Sequence, residues 1–273
     1  MLTTIIFSKD RPLQLDLCLK SVDSNWVCNK EVVVLYDASN DRYEDAYNTL
    51  KDEHKNARFV RQGSFFLDLH SLIAGVLTKY ISFLTDDDIV YHKSTTHLDE
   101  LDTLFLDTVC CVSTRLGINI YRDNVSTIKQ PAFKKHCNHL IWDRMTMLAG
   151  GYWNYPLSVD GHIFRTSDMF RIMSNLSCSN VENPNRFESI LQRFFFEIGS
   201  HMICEFNSCV VNSPNNRVQD EFPNWNGLTF PEDCDKLLEL YLAGKRIMLE
   251  KLTFNVSSPH QEVDILRGLN EVV

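Results

Sequence analysis

Three neighbouring aspartates, Asp86, Asp87 and Asp88, stand directly after an apolar segment at 80–85 that is typical of a buried strand. Burying adjacent carboxylates is costly unless a cation or hydrogen-bond donors compensate their charge. Mg²⁺ or Mn²⁺ would compensate it, because hard divalent ions prefer oxygen ligands and are often held by carboxylates together with phosphates. A solvated turn or a helix N-terminus would explain the same triplet without a metal. The apolar strand before it favours the metal.

The elements that position this triplet follow from the hydrophobic pattern of the amino-terminal part. Apolar, β-branched runs alternate there with amphipathic segments, which predicts a doubly wound, mainly parallel α/β sheet. The predicted strands are 3–8, 31–36, 58–61 and 80–85, and the predicted helices start at Leu13 and cover 43–54 and 66–78.

Ligands of such sheets gather beyond the carboxyl ends of the strands. Asp10 and Arg11 follow the first predicted strand, Asp37 follows the second, and the aspartate triplet follows the fourth. We therefore expect these side chains to converge. Neither a Gly-x-Gly fingerprint nor a Walker loop is present, so a nucleotide would have to be held by side chains and a metal.

Composition limits the classes of protein that fit. The chain has 273 residues, with 44% hydrophobic and 23% charged residues, which predicts one large α/β domain with a small appendage. The formal net charge of −9 argues against a nucleic-acid-binding surface, because phosphate neutralisation needs clustered Lys and Arg.

Cysteine usage and the first residues predict a cytoplasmic protein. The nine cysteines form no Cys-x-x-Cys pair, which suits reduced thiols better than disulfides or a zinc site. The start at 1–7 lacks the basic region and the small-residue cleavage site of a signal peptide. No apolar run reaches membrane-spanning length.

The opening segment 6–12, the strand that ends in Tyr36-Asp37 and the segment 83–88 resemble the nucleotide-sugar half of GT-A fold glycosyltransferases, of the type with an Asp-x-Asp motif and similar to family 2. The resemblance implies a Rossmann-like α/β fold. It also implies a GT-A domain over 1–230, with a nucleotide-sugar half at 1–100 and an acceptor half at 101–230, followed by a helical extension at 231–273.

In that family the first strand-end loop and the acid after the second strand hold the base and ribose, and the Asp-x-Asp motif holds a divalent metal on the diphosphate. Carried over, the resemblance gives Asp37 a contact with the nucleoside, Asp86 one with the ribose or the metal, and Asp88 one with the metal. The residues expected to bind the nucleotide sugar in this half are Ser8, Asp10, Arg11, Asp37, Gln62, Asp86 and Asp87.

The second half would then bind the acceptor. The segment 152–162 contains Tyr152, Trp153 and Tyr155 followed by Asp160, a mixture that suits a surface for a sugar ring. Core packing or loop anchoring would account for the same aromatic residues. Family members carry acceptor-binding residues in a comparable segment.

Glu188 is the first candidate for a catalytic base. An inverting transferase needs a carboxylate to remove the proton from the acceptor hydroxyl. The family places such an acid at a helix start downstream of Asp-x-Asp, usually within an acidic pair, whereas here Phe187 precedes Glu188. Asn183 or Asn185 can cap a predicted helix at 189–198, and a position near its first turn would explain Glu188 by the helix dipole alone. Asp160 is the second candidate.

A polar loop at 212–219 resembles the family loop that folds over the diphosphate. Asn212 is the candidate for completing the metal shell, and Arg217 is the candidate for neutralising the departing phosphate. The usual metal-binding histidine is not evident in this loop, so a plain surface turn would fit equally well.

The carboxyl-terminal segment shows apolar residues at helical spacing over 235–253, which predicts an amphipathic helical tail. Such a helix would pack on the core or mediate a homodimer.

These features together predict a metal-dependent glycosyltransferase that uses Mn²⁺ or Mg²⁺ and a UDP-sugar, with a hydroxyl of a carbohydrate or glycoconjugate as acceptor and inversion at the sugar. A sugar nucleotidyltransferase would be expected to carry a glycine-rich basic loop, which this chain lacks. A catalytically inactive GT-A domain that binds glycans or acts as a scaffold is the non-enzymatic alternative.

Overall fold

The amino-terminal part of the chain alternates strands and helices, as its hydrophobic pattern predicts. The computed structural model describes residues 2–26, 29–123, 126–177, 181–218 and 227–270. The first elements are β1 (Leu2–Lys9), α1 (Pro12–Asn25), β2 (Asn29–Asp37), α2 (Asp41–Glu53), β3 (Ala57–Arg61), α3 (Phe65–Gly75) and β4 (Tyr80–Thr85). All the predicted elements of this part are therefore confirmed.

Local sequence explains where these helices begin. Pro12 occupies the first turn of α1, where its missing N–H costs nothing. Asn40 caps α2, because its side chain accepts hydrogen bonds from the backbone N–H groups of Arg42 and Tyr43. Both helices thus start directly after the loops that follow β1 and β2.

The second half adds shorter elements to the same sheet. They are β5 (Asp88–Val90), α4 (Leu101–Leu104), β6 (Val109–Ser113), β7 (Lys134–His136), β8 (His139–Asp143), β9 (His162–Arg165), α5 (Thr166–Ser174), α6 (Pro184–Leu191), β10 (His201–Cys204), β11 (Val210–Asn212) and α7 (Cys234–Leu242).

The large sheet has the strand order β3-β2-β1-β4-β9-β6-β10-β8-β7. Strands β3, β2, β1 and β4 are parallel. Strand β9 runs antiparallel to both β4 and β6, and β8 runs antiparallel to β10 and β7. The sheet is therefore mixed, and the parallel arrangement that we predicted describes its amino-terminal half.

Strand β1 is buried on both faces because helices cover both sides of the sheet. Ile5 and Phe7 belong to the hydrophobic cluster that includes Phe65 of α3, whereas Ile6 belongs to the cluster that includes Leu17 of α1. A continuous apolar run is the pattern expected of such a central strand.

The carboxyl ends of β1, β2 and β4 meet at one edge of the sheet. Lys9 lies opposite Asp37, and Phe7 lies opposite Thr85. A second, two-stranded sheet pairs β11 with β5 and places Asn212 opposite Asp88. The side chains that follow three separate strands are thereby brought together.

The carboxyl-terminal segment is less helical than its apolar spacing predicts. Helix α7 ends at Leu242, and Gly244 has a φ of 79°, so a continuous helix over 235–253 is wrong. The later residues contain two short 3-10 turns, Leu249–Lys251 and Ile265–Gly268. The apolar residues are buried whether or not they are helical. Leu237, Leu238 and Tyr241 are buried on α7, and Ile247, Val263 and Ile265 are buried in the later segment.

Helix α7 packs against α1 and α2 of the same chain. Its apolar residues are thus used within the chain, and a homodimer through this helix stays a prediction. Among the described residues, no helix combines the length and apolar character that crossing a bilayer requires.

Candidate active site

An open cavity of about 940 Å³ lies at the carboxyl ends of β1, β2 and β4. The segment 150–160 and the start of α6 also line it, and Asp160 of this segment lies 3.5 Å from the Thr85 hydroxyl. The predicted site residues that line it are Ser8, Arg11, Asp37, Gln62, Asp86, Asp87, Asp160, Glu188, Asn212 and Arg217. Residues that the sequence had assigned to donor binding and to catalysis therefore share one cavity.

Asp10 does not line this cavity. It has a φ of 54°, and its carboxylate accepts hydrogen bonds from the backbone N–H of Ser39 (2.8 Å) and from the Ser39 hydroxyl (2.5 Å). The contact ties the loop after β1 to the loop after β2. Asp10 thus supports the edge of the site and lies outside its lining.

Arg11 binds two members of the aspartate triplet. Its Nη1 lies 2.9 Å from Asp86 Oδ1 and 2.9 Å from Asp87 Oδ2, and its Nη2 donates to the carbonyl of Asn216 at 2.7 Å. The guanidinium is only 8% exposed. A planar cation with several donors suits this task, because it can bond to separate acceptors at once. Arg11 therefore joins the triplet to the loop after β11.

Asp86 has hydrogen-bond partners on both carboxylate oxygens. Oδ1 faces Arg11, and Oδ2 accepts from the Ser8 hydroxyl (2.8 Å) and the Lys9 backbone N–H (3.0 Å). Burial raises the pKa of Asp86 to about 6, although the Arg11 charge opposes the shift.

Asp88 lies behind the cavity lining and is completely buried. Its hydrogen bonds come from uncharged donors, the Thr85 N–H and hydroxyl and the Asn212 amide, with the Thr85 N–H at 2.8 Å and the amide at 3.1 Å. Burial, followed by the charges of Asp160 and Asp87, raises the pKa of Asp88 well above its usual range. A buried carboxylate beside two others is where an added cation gains most.

Arg115 lies just after the carboxyl end of β6 and contacts the 158–160 loop. Its Nη1 donates to Ser158 Oγ (2.6 Å) and pairs with Asp160 Oδ2 (2.9 Å). Its Nη2 lies 2.5 Å from His260 Nε2. The sequence reasoning missed Arg115, although a polar residue just after a buried strand was the signal that identified Asp37.

His260 reaches the cavity from the carboxyl-terminal segment. Because its Nε2 accepts from Arg115, its Nδ1 carries the proton and donates to Asn212 Oδ1 at 3.2 Å. Burial and the Arg115 charge lower the pKa of His260 to about 3, so the ring is neutral. His260 thus places an imidazole beside Asn212 at the start of the loop after β11, and no local pattern around position 260 identifies it.

Glu188 lies within α6, because that helix begins at Pro184 with Asn183 as its cap. The helix predicted at 189–198 starts too late, since α6 ends at Leu191 and a 3-10 turn follows. Glu188 is therefore in the second turn, where a dipole or capping role explains little.

The Glu188 carboxylate is placed against the 158–160 loop. It accepts from the Val159 backbone N–H at 3.2 Å. Burial and then the Asp160 charge raise the pKa of Glu188 to about 7, and Arg115 opposes the shift. A half-buried carboxylate with this pKa can take up a proton near neutral pH.

The aromatic segment divides between cavity and core. Tyr152 and Tyr155 line the cavity. Trp153 is buried against Trp142 and Phe133, with ring centroids 5.2 and 5.4 Å apart, so the expectation of a core role is correct for this residue.

Another acidic group lies away from the cavity. Among the described residues, Asp16, Glu53 and His54 have ligand atoms close enough to hold a metal. Lys20 lies 2.7 Å from Asp16, and Arg246 lies 2.6 Å from Glu53, so existing ion pairs balance this cluster. It joins α1, α2 and the carboxyl-terminal segment.

Known proteins share this fold. No family model matches the chain. The bifunctional glycosyltransferase pgtA of Dictyostelium discoideum is 24% identical over 293 residues, which cover 94% of this chain. S. aureus TarS superposes with a TM-score of 0.52 and 12% identity over 77% of this chain. TarS 1–349 in complex with UDP gives a TM-score of 0.51 and 13% identity over 79% of it.

The chain spans 38% of the length of the curated relative, 36% of TarS and 62% of TarS 1–349. The structural similarity extends over 77–79% of this chain. The α/β fold of the GT-A type, which the sequence resemblance implied, is therefore confirmed.

Proposed function

We propose that this chain is a metal-dependent glycosyltransferase that moves a sugar from a UDP-sugar to a hydroxyl of a carbohydrate or glycoconjugate, with inversion. The observation that carries this proposal is the shared cavity, which is lined by Asp86 and Asp87 at the strand ends, with Asp88 buried behind them, and by the titratable Glu188 of α6. A curated relative named as a glycosyltransferase and a similar fold solved with UDP support it.

The donor would lie along the strand ends. Asp37 and Gln62 line the part of the cavity beside β2 and β3, where they would contact the uracil and the ribose. Ser8 and Asp86 lie between them and the diphosphate position. Arg217 would meet the diphosphate from the loop after β11.

Charge balance supports a metal at the diphosphate. More carboxylates than cationic side chains line the cavity. Lys9 and Arg115 each pair with one of those carboxylates, and Arg11 pairs with two. A doubly charged diphosphate therefore needs further positive charge. Asp88, whose hydrogen bonds come from uncharged donors only, fits a divalent ion with Asp87, Asn212 and His260 close by.

We place Asp88 at the centre of this proposed metal set, with Mn²⁺ or Mg²⁺ as the ion. Asn212 presents its amide NH2 to Asp88 and its oxygen to His260, so its side chain would have to turn over to ligate the ion. Asp86 contributes chiefly through Arg11, because both its oxygens already accept hydrogen bonds. When bound, the ion supplies positive charge to the departing diphosphate.

Glu188 would take the proton of the acceptor hydroxyl as that oxygen attacks the anomeric carbon. Its pKa near 7 means that the group is partly ionised at neutral pH and basic enough to accept a proton. Asp160, the second candidate, is paired with Arg115, so we assign it to positioning the wall and to raising the basicity of Glu188.

Release of UDP from UDP-sugars tests this proposal, measured with Mn²⁺ and with EDTA, with and without sugar acceptors. We expect turnover that depends on the metal and falls by about 10²–10⁴ in Glu188→Gln. Thermal shifts with UDP and Mn²⁺ report donor binding separately, because a ligand of the native state raises the melting temperature. The proposal would be refuted if the protein showed no UDP release and no UDP-dependent thermal shift.

A further inference from the structure

One part of the cavity lining, called the acceptor wall below, carries aromatic, amide and acidic groups. Its residues come from the segment 150–160 and from the residues before and within α6. They include Tyr152, Tyr155, Glu182, Asn183, Asn185 and Gln192 together with Glu188. If the proposed function holds, this wall receives the acceptor.

The negative charge of this wall has little cationic compensation. Glu182, Glu188 and Asp160 lie in this part of the lining, and Arg115 is the cation that contacts it. The cavity as a whole is lined by six carboxylates and by the four cations Lys9, Arg11, Arg115 and Arg217. The Arg115 guanidinium is 4% exposed and already contacts Ser158, Asp160 and His260. A phosphate, sulfate or carboxylate on the acceptor would have to displace Asp160 to reach it.

The neighbouring histidine has no free ring nitrogen for an acceptor anion. Its Nε2 lies 2.5 Å from Arg115 Nη2, and its Nδ1 lies 3.2 Å from Asn212 Oδ1. A negative charge on the acceptor beside Glu188 would raise the pKa of Glu188 further, as the charge of Asp160 already does. An anionic acceptor would thereby suppress the proposed base.

We propose that the acceptor is an uncharged saccharide, and that this wall rejects phosphorylated, sulfated and carboxylated sugars. This inference rests on the proposed function. Amide groups and tyrosines can bind and pack against a neutral sugar without a counterion. Rejection arises because a desolvated anion that faces carboxylates finds no compensating partner.

The test uses the whole chain with a UDP-sugar, Mn²⁺ and pairs of acceptors that differ only in charge. Suitable pairs are p-nitrophenyl β-glucoside with the β-glucuronide, and p-nitrophenyl N-acetylglucosaminide with its 6-sulfate. UDP release above the rate without acceptor gives kcat/KM for each. We expect transfer to neutral members, with kcat/KM at least about tenfold above that of their anionic partners.

Glu182→Lys tests whether the wall causes this preference. Placing a cation there should lower the ratio of neutral to anionic kcat/KM by about fivefold or more. Asp107→Lys makes the same change in net charge at an exposed position outside the cavity and should leave the ratio unchanged.

Three results would overturn the inference while the proposed function stands. They are equal or better use of anionic acceptors, an equal effect of the two lysine variants on the ratio, and donor hydrolysis without transfer to any neutral acceptor. If the wild-type chain showed neither donor hydrolysis nor UDP binding, the proposed function itself would be refuted.

Discussion

Glu188 and Asp160 line the same cavity, but only Asp160 is paired with a buried cation, Arg115, at 2.9 Å. Burial and the charge of Asp160 raise the pKa of Glu188 to about 7. Two acids with different partners can thus take different roles, one as proton acceptor and the other as a fixed charge.

This relationship predicts the pH dependence of the reaction. A base must be deprotonated to act, so kcat/KM should rise with pH through an apparent pKa near 7. Asp160→Asn removes a negative charge that favours protonated Glu188, so the acidic limb should move to lower pH by about one unit. The measurement is kcat/KM from pH 5 to 9 for both proteins. An unchanged apparent pKa of the acidic limb in Asp160→Asn would contradict an electrostatic effect of Asp160 on Glu188.

Asp88→Asn should abolish metal-dependent turnover, by about 100-fold or more, without unfolding the protein. The raised pKa of folded Asp88 means that its neutral form favours folding, and that this contribution is lost as pH rises through the raised value. The asparagine variant should therefore be more stable than the wild type in EDTA at pH 8. Its melting temperature should rise by about 2–4 °C for each kcal/mol gained in the free energy of unfolding.

Asp107→Asn is the matched control for that variant, because Asp107 is exposed and lies outside the cavity. It should change neither turnover nor melting temperature. An Asp88→Asn protein with normal activity would remove the metal from this position.

Arg11→Ala should be strongly destabilising, because it leaves Asp86 and Asp87 buried without their cation. Breaking a buried pair in this way typically costs about 3–5 kcal/mol. The loss should be smaller at pH 5.5 than at pH 8, since Asp86 has a raised pKa and protonation relieves the unpaired charge.

Urea unfolding at the two pH values measures the Arg11→Ala effect. Arg58→Ala, which removes an exposed partner 3.8 Å from Glu31, is the control and should have a much smaller effect at either pH. Equal losses for the two variants would contradict a structural role for the Arg11 contacts.

His260→Ala should raise the Mn²⁺ concentration needed for half-maximal activity by about tenfold, because the ring contacts both Asn212 and Arg115 beside Asp88. A Mn²⁺ titration of UDP release measures this, and His97→Ala at an exposed position provides the comparison. An unchanged Mn²⁺ requirement would show that His260 acts apart from the ion.

Hydrophobic periodicity predicted the amino-terminal half well, because each strand and helix there buries a regular face of its own sequence. Strand-end polar residues such as Asp37 and Asp86 were identifiable for the same reason. His260 was missed because tertiary packing alone brings it to the cavity, whereas Arg115 follows a buried strand and carried the same signal as Asp37. The helix expected at 235–253 failed because apolar spacing records burial, which an irregular segment can also satisfy.

The carboxyl-terminal segment has a consequence for protein engineering. Its residues Leu237 and Tyr241 belong to the same hydrophobic cluster as Ile6 of β1, and its His260 lines the cavity at the strand ends. The opening and closing stretches of the chain thus form one interlocked unit. A chimera that takes residues 1–100 from a related protein would need the matching carboxyl-terminal segment as well. A chain cut at 230 would expose core surface and would remove His260 from the cavity lining.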